Sequence, residues 1–225
     1  GDYRKRRSSH LNNQPNEPNK RGAGRVYLMR HAKPAVPRGG RTYYGVTDYP
    51  LSDEGRSDAA KAANVLSGLH FDAVYVSPLT RARQTAELAL PNRDFVTVDD
   101  LHEINLGAWE GRGFDEVREE FAELYERRGK AFADVAPPGG ETFRELQRRA
   151  VPAFDAIVEA HRGESVIIVA HAALIWSIIA DKLHLDLNDM FFFVLDYCGM
   201  HILETPPAGI DMRMRALGLN RGIVL

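Results

Sequence analysis

The chain of 225 residues is 44% hydrophobic and 27% charged with a formal net charge of −2, which fits one large globular domain and gives no global attraction to nucleic acid or to an anionic membrane. No stretch approaches the ~18 apolar residues that a membrane helix needs, and the basic N-terminus lacks the apolar core of a secretory signal. The lone cysteine, Cys198, excludes an internal disulfide and points to a reducing compartment, so a cytoplasmic protein with a small buried thiol is expected.

Residues Gly1 to Gly24 carry six Lys or Arg against two acids and almost nothing apolar. Such a segment cannot bury enough surface to offset its ordering entropy, so a disordered basic tail or linker is expected over 1–24 and the folded domain over 25–225. Val26 to Met29 is a short apolar run of the kind that forms a buried strand. A helix is predicted over Ser52–Leu69, with Ser52 as its N-cap. A strand over Ala73–Val76, a helix over Thr80–Leu90 and a strand over Phe95–Val98 follow. A charged helix is predicted over Phe114–Phe132, a loop at Pro137–Gly140 and a helix over Thr142–His161, kinked by Pro152. Val166–Ala170 is the most apolar strand, Leu174–Leu183 a buried helix, and Phe191–Leu195 with Met200–Leu203 a closing pair of strands. Alternating strands and helices predict an α/β fold with three layers, α/β/α, around a mostly parallel sheet.

In such sheets ligands bind beyond the carboxyl ends of the strands. Two histidines stand there, His31 after the first strand and His171 after the Val166–Ala170 strand. Arg30 precedes His31 directly. Arg81 opens the helix that follows Ser77-Pro78-Leu79-Thr80, where backbone N–H groups and a guanidinium both favour an anion. Glu103 lies in Leu101-His102-Glu103-Ile104-Asn105-Leu106-Gly107-Ala108-Trp109-Glu110-Gly111, a segment holding an acid, glycines and a tryptophan after the third strand.

In chain order, Arg30-His31, Gly45-x-Thr47-Asp48-x-Pro50-Leu51-Ser52, Ser77-Pro78-Leu79-x-Arg81-Ala82, Glu103-x-x-x-Gly107-x-Trp109-Glu110-Gly111, Pro138-Gly139-Gly140-Glu141 and Val169-Ala170-His171 resemble the motifs of the histidine phosphatase superfamily, also called phosphoglycerate mutase-like. The resemblance implies a phosphatase that needs no metal or other cofactor and acts on a small-molecule phosphate ester. It implies His31 as the nucleophile that forms a phosphohistidine. Arg30, Arg81 and a protonated His171 would hold the phosphoryl oxygens, and Glu103 would act as general acid and base. Tyr44 and Gly45 belong to the expected substrate-binding set, with Lys33, Arg38, Arg41, Tyr43, Trp109 and the segment 112–138 as candidates for specificity. Family members of comparable size suggest α-ribazole phosphate as substrate. No nucleic-acid or membrane partner is expected, and the oligomeric state is left open, a dimer among the options.

The chain departs from the family where Ala32, Lys33, Pro34 and Pro37 follow the first histidine and where Ala173 follows the second. Neither proline donates a hydrogen bond. That departure favours the phosphatase over the alternative, a cofactor-dependent phosphoglycerate mutase, which must hold a second anion near His31.

Overall fold

A computed structural model describes residues 22–207 and 213–222. The expected basic tail lies outside the described residues except at Gly22 to Gly24, and Gly24 already opens the first strand. The elements are β1 (Gly24–Arg30), α1 (Asp53–Leu66), β2 (Ala73–Val76), α2 (Thr80–Ala89), β3 (Val96–Thr97), α3 (Phe114–Glu120), α4 (Ala122–Lys130), α5 (Phe143–Ala160), β4 (Ser165–Ala170), α6 (Ala172–Lys182), β5 (Met200–Thr205) and β6 (Arg215–Arg221). The sheet order is β3-β2-β4-β1-β5-β6. The pairings β3–β2, β2–β4 and β4–β1 are parallel, and β5 and β6 add an antiparallel edge.

The central strands carry unbroken apolar runs, Val26–Met29 in β1 and Val166–Ala170 in β4, because both faces are covered. Val26 and Leu28 of β1, with Val166 and Ile168 of β4, face a core built from Leu146, Phe154, Leu174 and Ile178 of α5 and α6. Their neighbours Tyr27, Met29, Ile167 and Val169 face Ala59, Ala62, Ala82 and Ala86 of α1 and α2. This is the three-layer α/β/α arrangement. Helix α1 starts where Ser52 accepts from the Gly55 N–H, and α5 starts at a capping box between Thr142 and Glu145. Helix α5 runs continuously through Pro152 and buries Phe143, Leu146, Ala150, Phe154 and Ile157, one apolar stripe at helical spacing.

Two expectations fail. The segment predicted as a helix over Phe114–Phe132 is broken at Phe121, whose non-helical backbone separates α3 from α4. The predicted strand Phe191–Leu195 is absent: Leu187–Phe192 forms a 3₁₀ turn, tied to the core where Trp176 Nε1 donates to the Leu187 carbonyl over 3.0 Å. Its aromatic run suits a strand by propensity, yet Phe192 is 82% exposed. The antiparallel partner of β5 is β6, a strand without an apolar pattern that the sequence does not announce.

Phe154 is fully buried between α5 and the sheet. Phe154→Ala is therefore expected to cost about 3–5 kcal/mol of stability by cavity formation. Thr142→Ala, which removes only a cap, should cost about 1 kcal/mol. Urea unfolding at constant slope measures both, and equal midpoint shifts would contradict the burial assigned to Phe154.

Candidate active site

Parallel pairing aligns Arg30 of β1 with Ala170 of β4. The next residue of each strand is a histidine, so His31 and His171 leave the sheet side by side, with ring centroids 5.1 Å apart. The ladder continues into the site, where the His31 N–H donates to the Ala170 carbonyl over 3.0 Å. His31 is 2% exposed. Its Nδ1 lies 2.7 Å from the Ala32 carbonyl. A carbonyl only accepts, so the ring proton resides on Nδ1 and the lone pair on Nε2 faces the site. Burial, then the charges of Arg81 and Arg30, hold His31 well below the usual imidazole range. The ring is neutral.

His171 is fully buried. The Ser77 hydroxyl and His171 Nε2 are 2.6 Å apart, while His171 Nδ1 has no partner. The protonated ring expected from sequence is not what these surroundings favour. Burial comes first, and Arg81, His31 and Arg30 add to it, so His171 too is held well below the usual range.

Arg81 stands in the first turn of α2 and is fully buried. Its Nη1 donates to the Thr47 carbonyl (2.8 Å), Nη2 to the Gly45 carbonyl (2.5 Å) and Nε to His31 Nε2 (3.3 Å). Gly45 approaches the neighbouring backbone so closely that a Cβ there would lie 1.8 Å from the Ile104 carbonyl oxygen. Glu110 secures the same loop. Its carboxylate accepts from the N–H groups of Gly45, Val46, Thr47 and Leu106 and from the Thr47 hydroxyl. Residues 45–47 are thus held between an anion and a cation. Gly45 positions Arg81 instead of presenting a donor of its own to the site.

Glu103 is 7% exposed, and its carboxylate accepts from the N–H groups of Ile104, Ala173 and Leu174, the last two at the start of α6. Burial pushes its carboxyl upward, and it outweighs the opposing pull of these amides and of Arg81. Arg149 supports the Glu103 loop from behind by donating to the carbonyls of His102 and Glu103 while paired with Glu141. Sequence reasoning missed this role, because a helical arginine looks like surface charge.

Arg30 donates through Nη1 to the Leu195 carbonyl over 2.8 Å, its Nε has no partner, and its guanidinium lies 4.1 Å from the ring centroid of Tyr197. Tyr197 also stands 5.8 Å from His31, ring to ring, and its hydroxyl is 2.9 Å from that of Tyr44. Burial and Tyr197 push the Tyr44 phenol upward, so the Tyr44 hydroxyl stays neutral. No sequence signal marks Tyr197, which falls outside every motif.

A cavity of about 580 Å³ opens beside these groups. Arg30, His31, Tyr44 and Glu103 form one part of its wall, while Tyr43, Trp109 and Phe143 are among the aromatic residues that form much of the rest. Arg81, His171 and Gly45 are not on that wall. Segment 112–138 does contribute, through Phe114, Tyr125, Arg128, Gly129 and Phe132. The three basic candidates do not. Lys33 pairs with Glu54, Arg38 with Glu116 and Arg41 with Asp115, all at the surface. Among the described residues no group of three or more His, Cys, Asp or Glu is arranged to hold a metal ion, and no helix is long and apolar enough to cross a membrane.

The family model of the histidine phosphatase superfamily (branch 1) matches residues 26–216. The chain is 32% identical over 188 residues to a 2-carboxy-D-arabinitol-1-phosphatase of Triticum aestivum, covering 82% of this chain and 38% of that protein. It is 29% identical over 182 residues to phosphoserine phosphatase 1 of Hydrogenobacter thermophilus, covering 80% of this chain and 86% of that one. The chain thus spans well under half the length of the wheat relative and most of the bacterial one. A solved structure of a putative α-ribazole-5'-P phosphatase from Escherichia coli is similar with a TM-score of 0.77 at 26% identity, covering 88% of this chain and 97% of that one. A match over this span, with the paired strand-end histidines, means that the chain belongs to the histidine phosphatase superfamily.

Proposed function

We propose that this protein is a phosphomonoesterase of the cytoplasm that hydrolyses a small-molecule ester through a phosphohistidine on His31. The observation that carries the reading is a cluster of buried, under-partnered guanidinium and imidazole nitrogens around a neutral nucleophile. Among the described residues Arg30 Nε and His171 Nδ1 have no partner, and Arg81 Nε makes only a long bond to His31 Nε2 itself. Buried donors without acceptors are rare in proteins and concentrate where a ligand supplies the acceptor. A phosphoryl group in line with His31 Nε2 meets that requirement.

In the first step the Nε2 lone pair forms the P–N bond while the P–O bond to the alcohol breaks. Glu103 gives its proton to the departing oxygen. Arg30, Arg81 and His171 stabilise the charge spread over the phosphoryl oxygens. The phosphate dianion brings negative charge close to His171 and so shifts that ring toward its protonated form. In the second step Glu103, now a carboxylate, takes a proton from water. The resulting oxygen attacks phosphorus, the P–N bond breaks, and the electron pair returns to Nε2. Throughout, the Ala32 carbonyl keeps the Nδ1 proton in place. The raised Glu103 carboxyl suits a group that must start protonated.

Nothing in the geometry favours the mutase alternative. The basic specificity candidates Lys33, Arg38 and Arg41, the cations that could hold the second anion a mutase needs, are paired with Glu54, Glu116 and Asp115. Three of the relatives are named as a 2-carboxy-D-arabinitol-1-phosphatase, a phosphoserine phosphatase and an α-ribazole-5'-P phosphatase, so the α-ribazole ester is one substrate to assay among several.

Two outcomes follow. His31→Ala is expected to abolish turnover with an unchanged melting transition, and rapid-quench labelling of the wild type should give acid-labile, base-stable phosphate on His31. Full activity in the variant would refute the mechanism. For Glu103→Gln, kcat/KM should fall about 10²–10⁴-fold on alkyl phosphates but about tenfold or less on nitrophenyl phosphate, whose leaving group needs little protonation. The sign of the pH dependence is set by the same shifts. Because His31 is depressed, the acid limb it causes lies below the usual imidazole range. Because Glu103 is raised, activity on alkyl esters declines as pH passes above the usual carboxylate range. An alkaline limb shared equally by both substrates would remove Glu103 from this role.

A further inference from the structure

Arg128 is the one buried residue of α4 and is 6% exposed. It lines the same cavity as His31 and Glu103. Other arginines of the protein have oxygen partners: Arg112 has Glu116 and Glu120, Arg144 has Asp134, Arg149 has Glu141, and Arg81 has two carbonyls. Among the described residues Arg128 has no hydrogen-bond acceptor, and its buried Nε is without a partner. Its guanidinium is instead ringed by aromatic faces, 4.2 Å from the centroid of Phe132, 5.3 Å from Trp109 and 5.9 Å from Phe143. Tyr43 is the single ionisable group that bears on it, and its influence is smaller than that of burial. Burial lowers the guanidinium to about 10, which leaves it cationic at neutral pH. Cation–π contacts offset part of the lost hydration, but a buried cation without an anion is otherwise strongly unfavourable.

We propose that Arg128 is the specificity-determining residue of this cavity and binds a carboxylate carried by the alcohol portion of the substrate. The preferred substrates are then phosphomonoesters of alcohols with an apolar or aromatic body and a carboxylate remote from the phosphate. This rests on the phosphatase reading for the chemistry at His31 and adds the class of leaving group. A planar guanidinium whose Nε edge is unoccupied matches a planar carboxylate in bidentate geometry, which an ammonium or a neutral donor does not reproduce. Tyr43, Trp109 and Phe143 supply apolar wall for the body of the molecule. The volume of about 580 Å³ lies within the range of small-molecule sites.

The test compares two esters that differ in charge alone at the remote end, 3-carboxyphenyl phosphate and 3-carbamoylphenyl phosphate. The wild type should prefer the carboxylate in kcat/KM. Arg128→Met, which keeps length and packing, should lose about tenfold to hundredfold on the carboxylate, as expected for a hydrogen bond to a charged group. It should change little on the amide, and Arg128→Lys should restore part of the preference. Calorimetric titration with 3-hydroxybenzoate and 3-hydroxybenzamide reads binding without turnover. Selective binding of the benzoate by the wild type is expected, and its loss in Arg128→Met. Equal kcat/KM for both esters in the wild type, or equal losses on both in Arg128→Met at an unchanged melting transition, would overturn the Arg128 proposal while leaving the phosphatase intact. If neither ester is hydrolysed but the benzoate still binds through Arg128, the phosphatase reading fails and the anion site stands. Should Arg128→Met fail to fold, the wild-type preference and the Arg128→Lys variant decide. No benzoate selectivity in the wild type overturns the proposal outright.

Discussion

The site depends on the register between two parallel strands. With Arg30 opposite Ala170, the two residues that follow emerge at the same height from adjacent strands. Side chains alternate along a strand, so a slip of one residue would send a ring to the opposite face of the sheet. The register is itself fixed by burial. Val26 and Leu28 must face α5 and α6 while Tyr27 and Met29 face α1 and α2, and β4 carries the same constraint with its own alternation. The hydrophobic core therefore specifies the separation of the two imidazoles, and the loops only complete what the sheet begins. Strand β2 adds the third member through the same device. Val76 pairs with Val169, and Ser77, one residue on, stands beside His171.

Electrostatics at the site are dominated by the removal of water. For His31, His171, Arg81 and Glu103 the largest influence is burial, and in each case it acts against the charged form. Four ionisable side chains in one small volume would repel or neutralise one another if all were charged. The arrangement avoids this by keeping the histidines neutral and by anchoring Arg81 on main-chain carbonyls, which are dipoles and not anions. A guanidinium held in this way keeps its charge available to an incoming phosphate.

Much of this was legible in the residues. The apolar runs around Val26 and Val166 identified the two central strands, and the histidine after each fell at the carboxyl edge where ligands bind. Ser52 and Thr142 marked their helix starts because a capping side chain leaves a local pattern. What was not legible depends on contacts remote in sequence. Tyr197 reaches Arg30 and His31 from the short connection between the two predicted final strands, and nothing in its neighbours announces it. The aromatic run at Phe191 has strand propensity but no sheet position to occupy, since β6 takes the edge beside β5. The surroundings of His171 were hidden for a related reason. Composition reveals that arginines are present, but only the fold reveals that they bear on the ring and that burial excludes water from it.

The bond from His31 Nδ1 to the Ala32 carbonyl has a consequence for how such a site changes over time. The acceptor that sets the tautomer belongs to the main chain, and the side chain at position 32 takes no part in it. That side chain is a methyl group, fully buried, and the Ala32 N–H donates to the Thr85 hydroxyl. Drift at this position is limited by space and not by chemistry. The handedness of the nucleophile, which nitrogen is armed and which is masked, is inherited with the turn that leaves the strand.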